Sequence, residues 1–192
     1  MELYNTIAKL VEHNGINFVD TNFVLGDTFS DFDRIADEYN QSNVNPFIID
    51  ITLQCMYELE KFANSDCPEH EELRDKASYW LSVFKDSFLK GGKYRLNTHQ
   101  LGNFFDRAIL AEATIQRSDN PVYLFTNDQA LTNEFMMLNH SRACKGHYVS
   151  VITMKYGTNT HLIKKDDKGY RLIDILYKIA TTAQPISYPE FS

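Results

Sequence analysis

Short continuous apolar runs alternate along this chain with longer segments whose apolar residues recur at helical spacing. The continuous runs, which are typical of buried strands, cover 16–19, 46–49, 94–96, 122–125 and 149–154. The segments with helical spacing, which predict amphipathic helices, cover 31–40, 51–62, 69–90, 102–116 and 128–138. Because strands that alternate with helices form βαβ units, we predict an α/β fold with three α/β/α layers around a central, mostly parallel sheet.

The alternation stops after residue 154. A hairpin around Asp167-Lys168-Gly169 and a short helix at 173–180 are predicted beyond that point. We therefore divide the chain into a main domain of residues 1–155 and a C-terminal hairpin and helix appendage of residues 156–192. We expect the appendage to pack on the main domain.

Charge and cysteine content narrow the classes of function. The 192 residues include 26 Asp and Glu against 19 Lys and Arg, a net charge of -7. That balance disfavours a large non-specific DNA clamp, because phosphate binding depends on neutralising Lys and Arg. Three cysteines without a C-x-x-C motif indicate a reducing compartment. Since no apolar run approaches the roughly 20 residues of a membrane helix, we expect a cytoplasmic protein with no membrane partner.

Zinc is one alternative use of the cysteines. Cys67 with His70, and Cys144 with His140 and His147, are residue types that bind zinc. The two groups lie far apart in sequence and have no zinc-finger or ribbon spacing, so surface and core positions explain them better.

Acidic residues follow two of the predicted strands. Asp20 comes directly after the first strand, and Asp128 follows the strand at 122–125. Glu58 and Asp106 lie on predicted helices. Ligands of open parallel sheets bind at the carboxyl ends of the strands, and carboxylates that converge there repel one another unless a cation neutralises them. The pattern predicts a site for a hard divalent ion such as Mg²⁺, although Asp20 and Asp128 taken singly fit helix caps equally well.

Four short motifs occur in the order found in PIN-domain nucleases. They are Asp20-Thr21-Asn22 after an apolar strand, Glu58-Leu59-Glu60, Asp106 with Ile109-Leu110, and Thr126-Asn127-Asp128 with Leu131. Together they make residues 16–154 resemble that family. The chain resembles larger PIN domains, such as those attached to PhoH-type ATPases, more than compact PIN toxins. Its extra length lies between Glu58 and Asp106 and after residue 154.

The resemblance implies a metal-dependent endoribonuclease that hydrolyses phosphodiester bonds of single-stranded RNA with Mg²⁺ or Mn²⁺. The implied catalytic and metal-binding acids are Asp20, Glu58, Asp106 and Asp128. The implied supporting residues, which orient the acids or a water, are Thr21, Asn22, Thr126 and Asn127. The candidate substrate-binding cations are Lys61, Arg95 and Arg107, for each of which an ordinary solvated charge is the simpler interpretation.

Three other functions use some of the same sequence features. The main alternative is a catalytically inactive PIN-like binding or assembly module, with a homodimer or an inhibitory protein as candidate partners. A phosphatase of the haloacid-dehalogenase kind needs a second acid two residues after the first, where this chain has Asn22. A Rossmann nucleotide site needs a glycine-rich loop after the first strand, where this chain has Asp20-Thr21-Asn22.

Overall fold

The computed structural model describes residues 2–98, 108–140, 146–156 and 173–177. Its strands are β1 (Ile16–Val19), β2 (Ile49–Thr52), β3 (Tyr94–Asn97), β4 (Val122–Phe125), β5 (Val149–Tyr156) and β6 (Ile173–Tyr177). They form a sheet in the order β3-β2-β1-β4-β5-β6, and each neighbouring pair is parallel. The predicted α/β fold with a parallel sheet is therefore confirmed.

Helices cover both faces of the sheet. The α-helices are α1 (Glu2–Glu12), α2 (Thr21–Val24), α3 (Phe29–Ser42), α4 (Leu53–Ala63), α5 (Glu71–Lys90), α6 (Ala108–Gln116) and α7 (Gln129–Met137), with 3₁₀ turns at Pro68–His70 and Leu138–His140. Within the described ranges, no helix is both long enough and apolar enough to cross a membrane.

Two hydrophobic cores lie on opposite faces of the sheet, because neighbouring strand residues point to opposite sides. On one face, Val19 and Phe125 pack with an aromatic cluster that includes Phe29 from α3 and Trp80 from α5. On the other face, the buried side chains come from β1, β4, β5, α6 and α7. They include Phe18, Leu124, Val151, Ile109 and Phe135. This arrangement confirms the three predicted layers and explains why every residue of β2 and β4 is buried.

The apolar run at 46–49 predicts that the second strand begins three residues before its actual start. The run at 46–49 is buried at Phe47, but the backbone of Phe47 bonds to the Asn40 side chain instead of to a neighbouring strand. Strand β2 begins at Ile49 and includes Asp50, which is 2% exposed. A charged residue inside a strand disguises that strand in a hydrophobicity pattern.

Both ends of the chain also differ from the pattern-based prediction. Helix α1 was not predicted, although Leu3, Ile7 and Leu10 are buried at helical spacing. The predicted helix at 173–180 is wrong over Ile173–Tyr177, where the chain forms β6 and pairs with β5. The predicted hairpin at 161–172 lies outside the described residues.

The strand order predicts a ligand site at the carboxyl ends of the two central strands, β1 and β4. After β1 the chain continues to β2 and β3 on one side, and it then returns to β4, β5 and β6 on the other side. The connections leaving β1 and β4 therefore diverge. The place where neighbouring connections diverge in this way is called the switch point of the sheet. In open parallel sheets, ligands bind there, outside the carboxyl ends of the strands.

Candidate functional site

Asp20 and the segment Thr126–Asp128 lie together at the switch point. Strands β1 and β4 are in register through Val19 and Phe125, so the residues that follow them emerge side by side. The backbone N–H of Asp20 donates to the Phe125 carbonyl at 3.0 Å, which fixes this proximity. The sequence-predicted acids of the first and fourth strands are thus neighbours because of the topology.

Thr126 connects the two acids. Its hydroxyl donates to Asp20 Oδ2 at 2.9 Å and accepts from the backbone N–H of Asp128 at 3.0 Å. Thr126 is completely buried, so its hydroxyl holds one geometry. The contact gives Thr126 a definite role in orienting the Asp20 carboxylate.

Glu58 approaches the same pocket from helix α4. The helix begins at the carboxyl end of β2, where the Thr52 hydroxyl caps it by accepting from the Cys55 N–H at 3.1 Å. Two side chains hold the Glu58 carboxylate: Thr21 donates to Oε2 and Gln54 donates to Oε1. Thr21 is therefore a second supporting residue that touches an acid.

The pocket between these elements has a volume of about 60 Å³. That is several times the roughly 10–15 Å³ that one water needs. Its polar lining residues include the acids Asp20 and Glu58, and apolar residues complete the lining. The lining residues are Val19, Asp20, Thr21, Thr52, Gln54, Cys55, Glu58, Ile109 and Leu131.

Burial raises the pKa of Asp20 from 3.8 to about 6. The hydrogen bond from Thr126 lowers this pKa, and the negative charge of Glu58 raises it. Desolvation disfavours a carboxylate, and a neighbouring carboxylate disfavours it again. The pocket therefore holds an acid whose ionised form lacks a compensating positive charge among the described residues.

Asp128 occupies a different position from Asp20 and Glu58. Its Oδ1 accepts from the backbone N–H groups of Ala130 and Leu131 at 2.7 and 3.0 Å, which caps helix α7. Its Oδ2 accepts from Asn22 Nδ2 at 3.5 Å. Asp128 does not line the pocket, so the structure gives it the capping contacts that its sequence position also suggested.

Apart from Arg95, the remaining sequence-predicted residues divide into three groups. Asn127 accepts from the Met154 N–H at 3.1 Å and so connects the loop after β4 to β5; within the described ranges it has no hydrogen bond to an acid. Lys61 is exposed on α4, one turn after Glu58. Asp106 and Arg107 lie outside the described residues.

Arg95 is engaged by another residue of the sheet. Its Nε and Nη2 donate to the two oxygens of Asp50 at 2.7 and 2.9 Å, across a registered pair of β2 and β3. The hydrogen bonds that Arg95 donates to Asp50 raise the pKa of Arg95. The guanidinium thus neutralises a buried carboxylate, which is a structural role.

Sequence reasoning did not identify Gln54 and Cys55, both of which line the pocket. Gln54 lies four residues before Glu58, and residues at this spacing share one helix face, so helical geometry could have found it. Burial raises the pKa of the Cys55 thiol, and the hydrogen bond with Thr21 lowers it. A buried thiol of this kind is unreactive.

Ion-binding groups are sparse in the part of the chain that the structure describes. There, no three or more His, Cys, Asp or Glu side chains form a group that could hold a metal ion. This statement covers Asp20, Glu58 and Asp128 but not Asp106. It also covers Cys67 and His70, where the His70 ring bonds to the Ser65 hydroxyl at 3.0 Å.

Comparison with known proteins does not assign the chain to a family. No protein-family model matches the chain, and no curated protein matches it.

Proposed function

We propose that this protein is a cytoplasmic, divalent-metal-dependent endoribonuclease that hydrolyses phosphodiester bonds of single-stranded RNA. One observation carries the proposal: Asp20 and Glu58, from different elements, line one pocket at the switch point of a parallel sheet. The four ordered motifs that resemble PIN-domain nucleases add support, since two of them contribute these acids.

The donor set fits a hard cation. Two carboxylates at one pocket, one of them partly buried with a pKa raised to about 6, are stabilised by a positive charge between them. Mg²⁺ and Mn²⁺ prefer such oxygen ligands and keep several waters. When bound, such an ion would activate a water and stabilise the charge that develops on the phosphate.

The chain's own residues would orient this chemistry. Thr126 fixes one oxygen of Asp20, and Thr21 fixes one oxygen of Glu58. Preorganised groups of this kind contribute because they need no rearrangement when the reaction occurs. Asp106 is the further acid that the motif resemblance implies for the same site.

Single-stranded RNA is commonly gripped by aromatic side chains and cations beside the reacting groups. On α4, Tyr57 is 59% exposed and Lys61 lies one turn further along. Both are near Glu58 in sequence and on the exposed side of the same helix. We assign substrate contact to Lys61 in preference to Arg95, whose guanidinium is bonded to Asp50.

A second candidate function is a non-catalytic binding or assembly module. It is favoured by Asp128, whose Oδ1 caps α7, and by the lack of a three-group metal cluster within the described ranges. In this case the partner would be another protein, either a second copy or an inhibitory protein. Nuclease activity separates the two candidates directly.

The deciding experiment is cleavage of labelled single-stranded RNA with Mn²⁺ or Mg²⁺, with an EDTA control. Wild type is compared with Glu58→Gln and with Glu60→Gln, two residues further along α4, where Glu60 pairs with Lys85 on the surface. We expect metal-dependent cleavage that Glu58→Gln abolishes and Glu60→Gln retains. Absence of cleavage of RNA or DNA in any metal would favour the binding module.

A further inference from the structure

We propose that the Gln54 side-chain oxygen is an additional ligand of the cation at the Asp20–Glu58 pocket. The inference rests on the proposed function, because it presupposes a divalent ion there. It adds a neutral donor that the motif resemblance does not supply.

The side chain of Gln54 is oriented toward the pocket by Glu58. The two residues lie one turn apart on α4, and Gln54 Nε2 donates to Glu58 Oε1. An ionised carboxylate only accepts hydrogen bonds, so it must face the amide nitrogen and not the amide oxygen. This requirement settles which end of the amide points at Glu58.

The amide oxygen is left without a hydrogen bond. Gln54 Oε1 is buried and has no hydrogen-bond partner among the described residues. Buried polar atoms are nearly always paired with protein, water or a ligand, so the unpaired oxygen of a residue that lines the pocket indicates a missing partner. The partner must be a hydrogen-bond donor or a cation.

A cation is the partner that satisfies the whole pocket. Carbonyl oxygens of Asn and Gln are established ligands of hard divalent ions. Gln54, Asp20 and Glu58 line the same pocket, so one ion would neutralise two carboxylates and engage the unpaired oxygen. A neutral ligand adds coordination without adding to the repulsion that Glu58 already exerts on Asp20.

Two substitutions separate ligation by the oxygen from positioning through the nitrogen. Gln54→Met removes both polar atoms at similar length. Gln54→Glu keeps an oxygen in the pocket but cannot donate to Glu58 when ionised. Gln41→Met, at an exposed position of α3, is the matched control for loss of an amide.

The measurement is Mn²⁺ binding to the full chain at pH 8, followed by calorimetry and by the free-Mn²⁺ electron paramagnetic resonance signal. We expect Gln54→Met to weaken binding about tenfold or more, as loss of one good ligand would. Gln54→Glu and Gln41→Met should bind at least as tightly as wild type. Circular dichroism of the metal-free proteins checks that each variant is folded.

Three results would overturn the inference in distinguishable ways. Wild-type affinity in folded Gln54→Met would exclude the oxygen as a ligand. Equal weakening in Gln54→Met and Gln54→Glu would show that Gln54 acts only by positioning Glu58. No Mn²⁺ binding by wild type would instead remove the metal-dependent function on which the inference depends.

Discussion

The Thr126 hydroxyl, at the end of β4, donates to Asp20 Oδ2 at the end of β1 over 2.9 Å. The same hydroxyl accepts from the backbone N–H of Asp128 at 3.0 Å. One buried side chain thus orients a carboxylate of the pocket and fixes the start of helix α7. This double use makes Thr126 the point where the fold and the candidate site depend on each other.

Thr126→Val should raise the pKa of Asp20 above its value of about 6, because the hydrogen bond from Thr126 lowers that pKa. The variant should also lose about 1–2 kcal/mol of unfolding free energy, since it removes two hydrogen bonds of a buried hydroxyl. Carboxyl-carbon NMR titration and urea unfolding measure the two effects.

Thr114→Val is the control for Thr126→Val. Its hydroxyl donates to the Leu110 carbonyl within α6, at 2.7 Å, and it has no hydrogen bond to Asp20, Glu58 or Asp128. An Asp20 titration that moves equally in both variants would contradict the assigned role of Thr126.

Asp20→Asn should make the metal-free protein more stable at pH 7 but not at pH 4. The pKa of Asp20 is raised by burial from 3.8 to about 6, so the folded state binds this proton more tightly than the unfolded state. The resulting stabilisation is complete below pH 3.8 and is lost as the pH rises through about 6. Ionisation of the folded protein at pH 7 therefore costs up to about 3 kcal/mol, which the uncharged Asn avoids.

Urea unfolding in EDTA at several pH values measures the difference between wild type and Asp20→Asn. The difference should grow between pH 4 and 7 and then level off. Asp66→Asn, at an exposed position before α5, is the matched control for loss of an aspartate. A difference between wild type and Asp20→Asn that stays constant with pH would contradict the raised pKa.

The sequence predicted most of the fold because apolar positions report burial. Phe18 and Val19 pack into different cores, as strand alternation requires. The pattern failed at β2 because Asp50 is a buried charge that the pattern treats as exposed. Its partner Arg95 comes 45 residues later, and only the paired strands bring the two together.

The candidate site was partly predictable for a related reason. Asp20 follows a recognisable strand, so its place at the sheet edge could be inferred. The contacts of Asp128 could not be inferred, because an aspartate after a strand fits a helix cap and a metal ligand equally well. The four-residue spacing places Gln54 on the same helix face as Glu58, but only the structure gives its hydrogen bond to the Glu58 carboxylate.

Mn²⁺ should bind more weakly below pH 6 than above it. Asp20 must lose its proton to act as a ligand, and burial raises its pKa to about 6. The affinity should therefore fall up to about tenfold for each pH unit below 6 and change little above pH 7. Calorimetry in buffers of different ionisation enthalpy should detect release of a proton at pH 5.5, and Asp20→Asn should abolish that release.

Arg95→Met should destabilise the protein without weakening RNA binding. It leaves the Asp50 carboxylate, 2% exposed, without its cation. Removing one partner of a fully buried pair costs roughly 3–5 kcal/mol. Since the Arg95 side chain is 59% exposed, we expect about 2 kcal/mol from urea unfolding.

The matched substitution Lys61→Met should show the opposite effects. Lys61 is exposed on α4, so its loss should leave the unfolding free energy within about 0.5 kcal/mol. It should weaken binding of labelled single-stranded RNA and reduce the salt dependence of that binding. Weaker RNA binding by folded Arg95→Met than by Lys61→Met would show that Arg95, and not Lys61, is the more important contact to the RNA.

Asp128→Asn and Asp128→Ser should test whether Asp128 acts in catalysis beyond its capping of α7. Asn and Ser are good N-caps, so both variants should retain the contacts to the Ala130 and Leu131 N–H groups and unfold within about 1 kcal/mol of wild type. The motif resemblance predicts that both variants nevertheless lose RNA cleavage, because neither supplies a charged ligand. Asp128→Ala, which also removes the cap, should be less stable by about 1 kcal/mol. Full cleavage by folded Asp128→Asn and Asp128→Ser would assign Asp128 to the helix cap and leave the chemistry to the Asp20–Glu58 pocket.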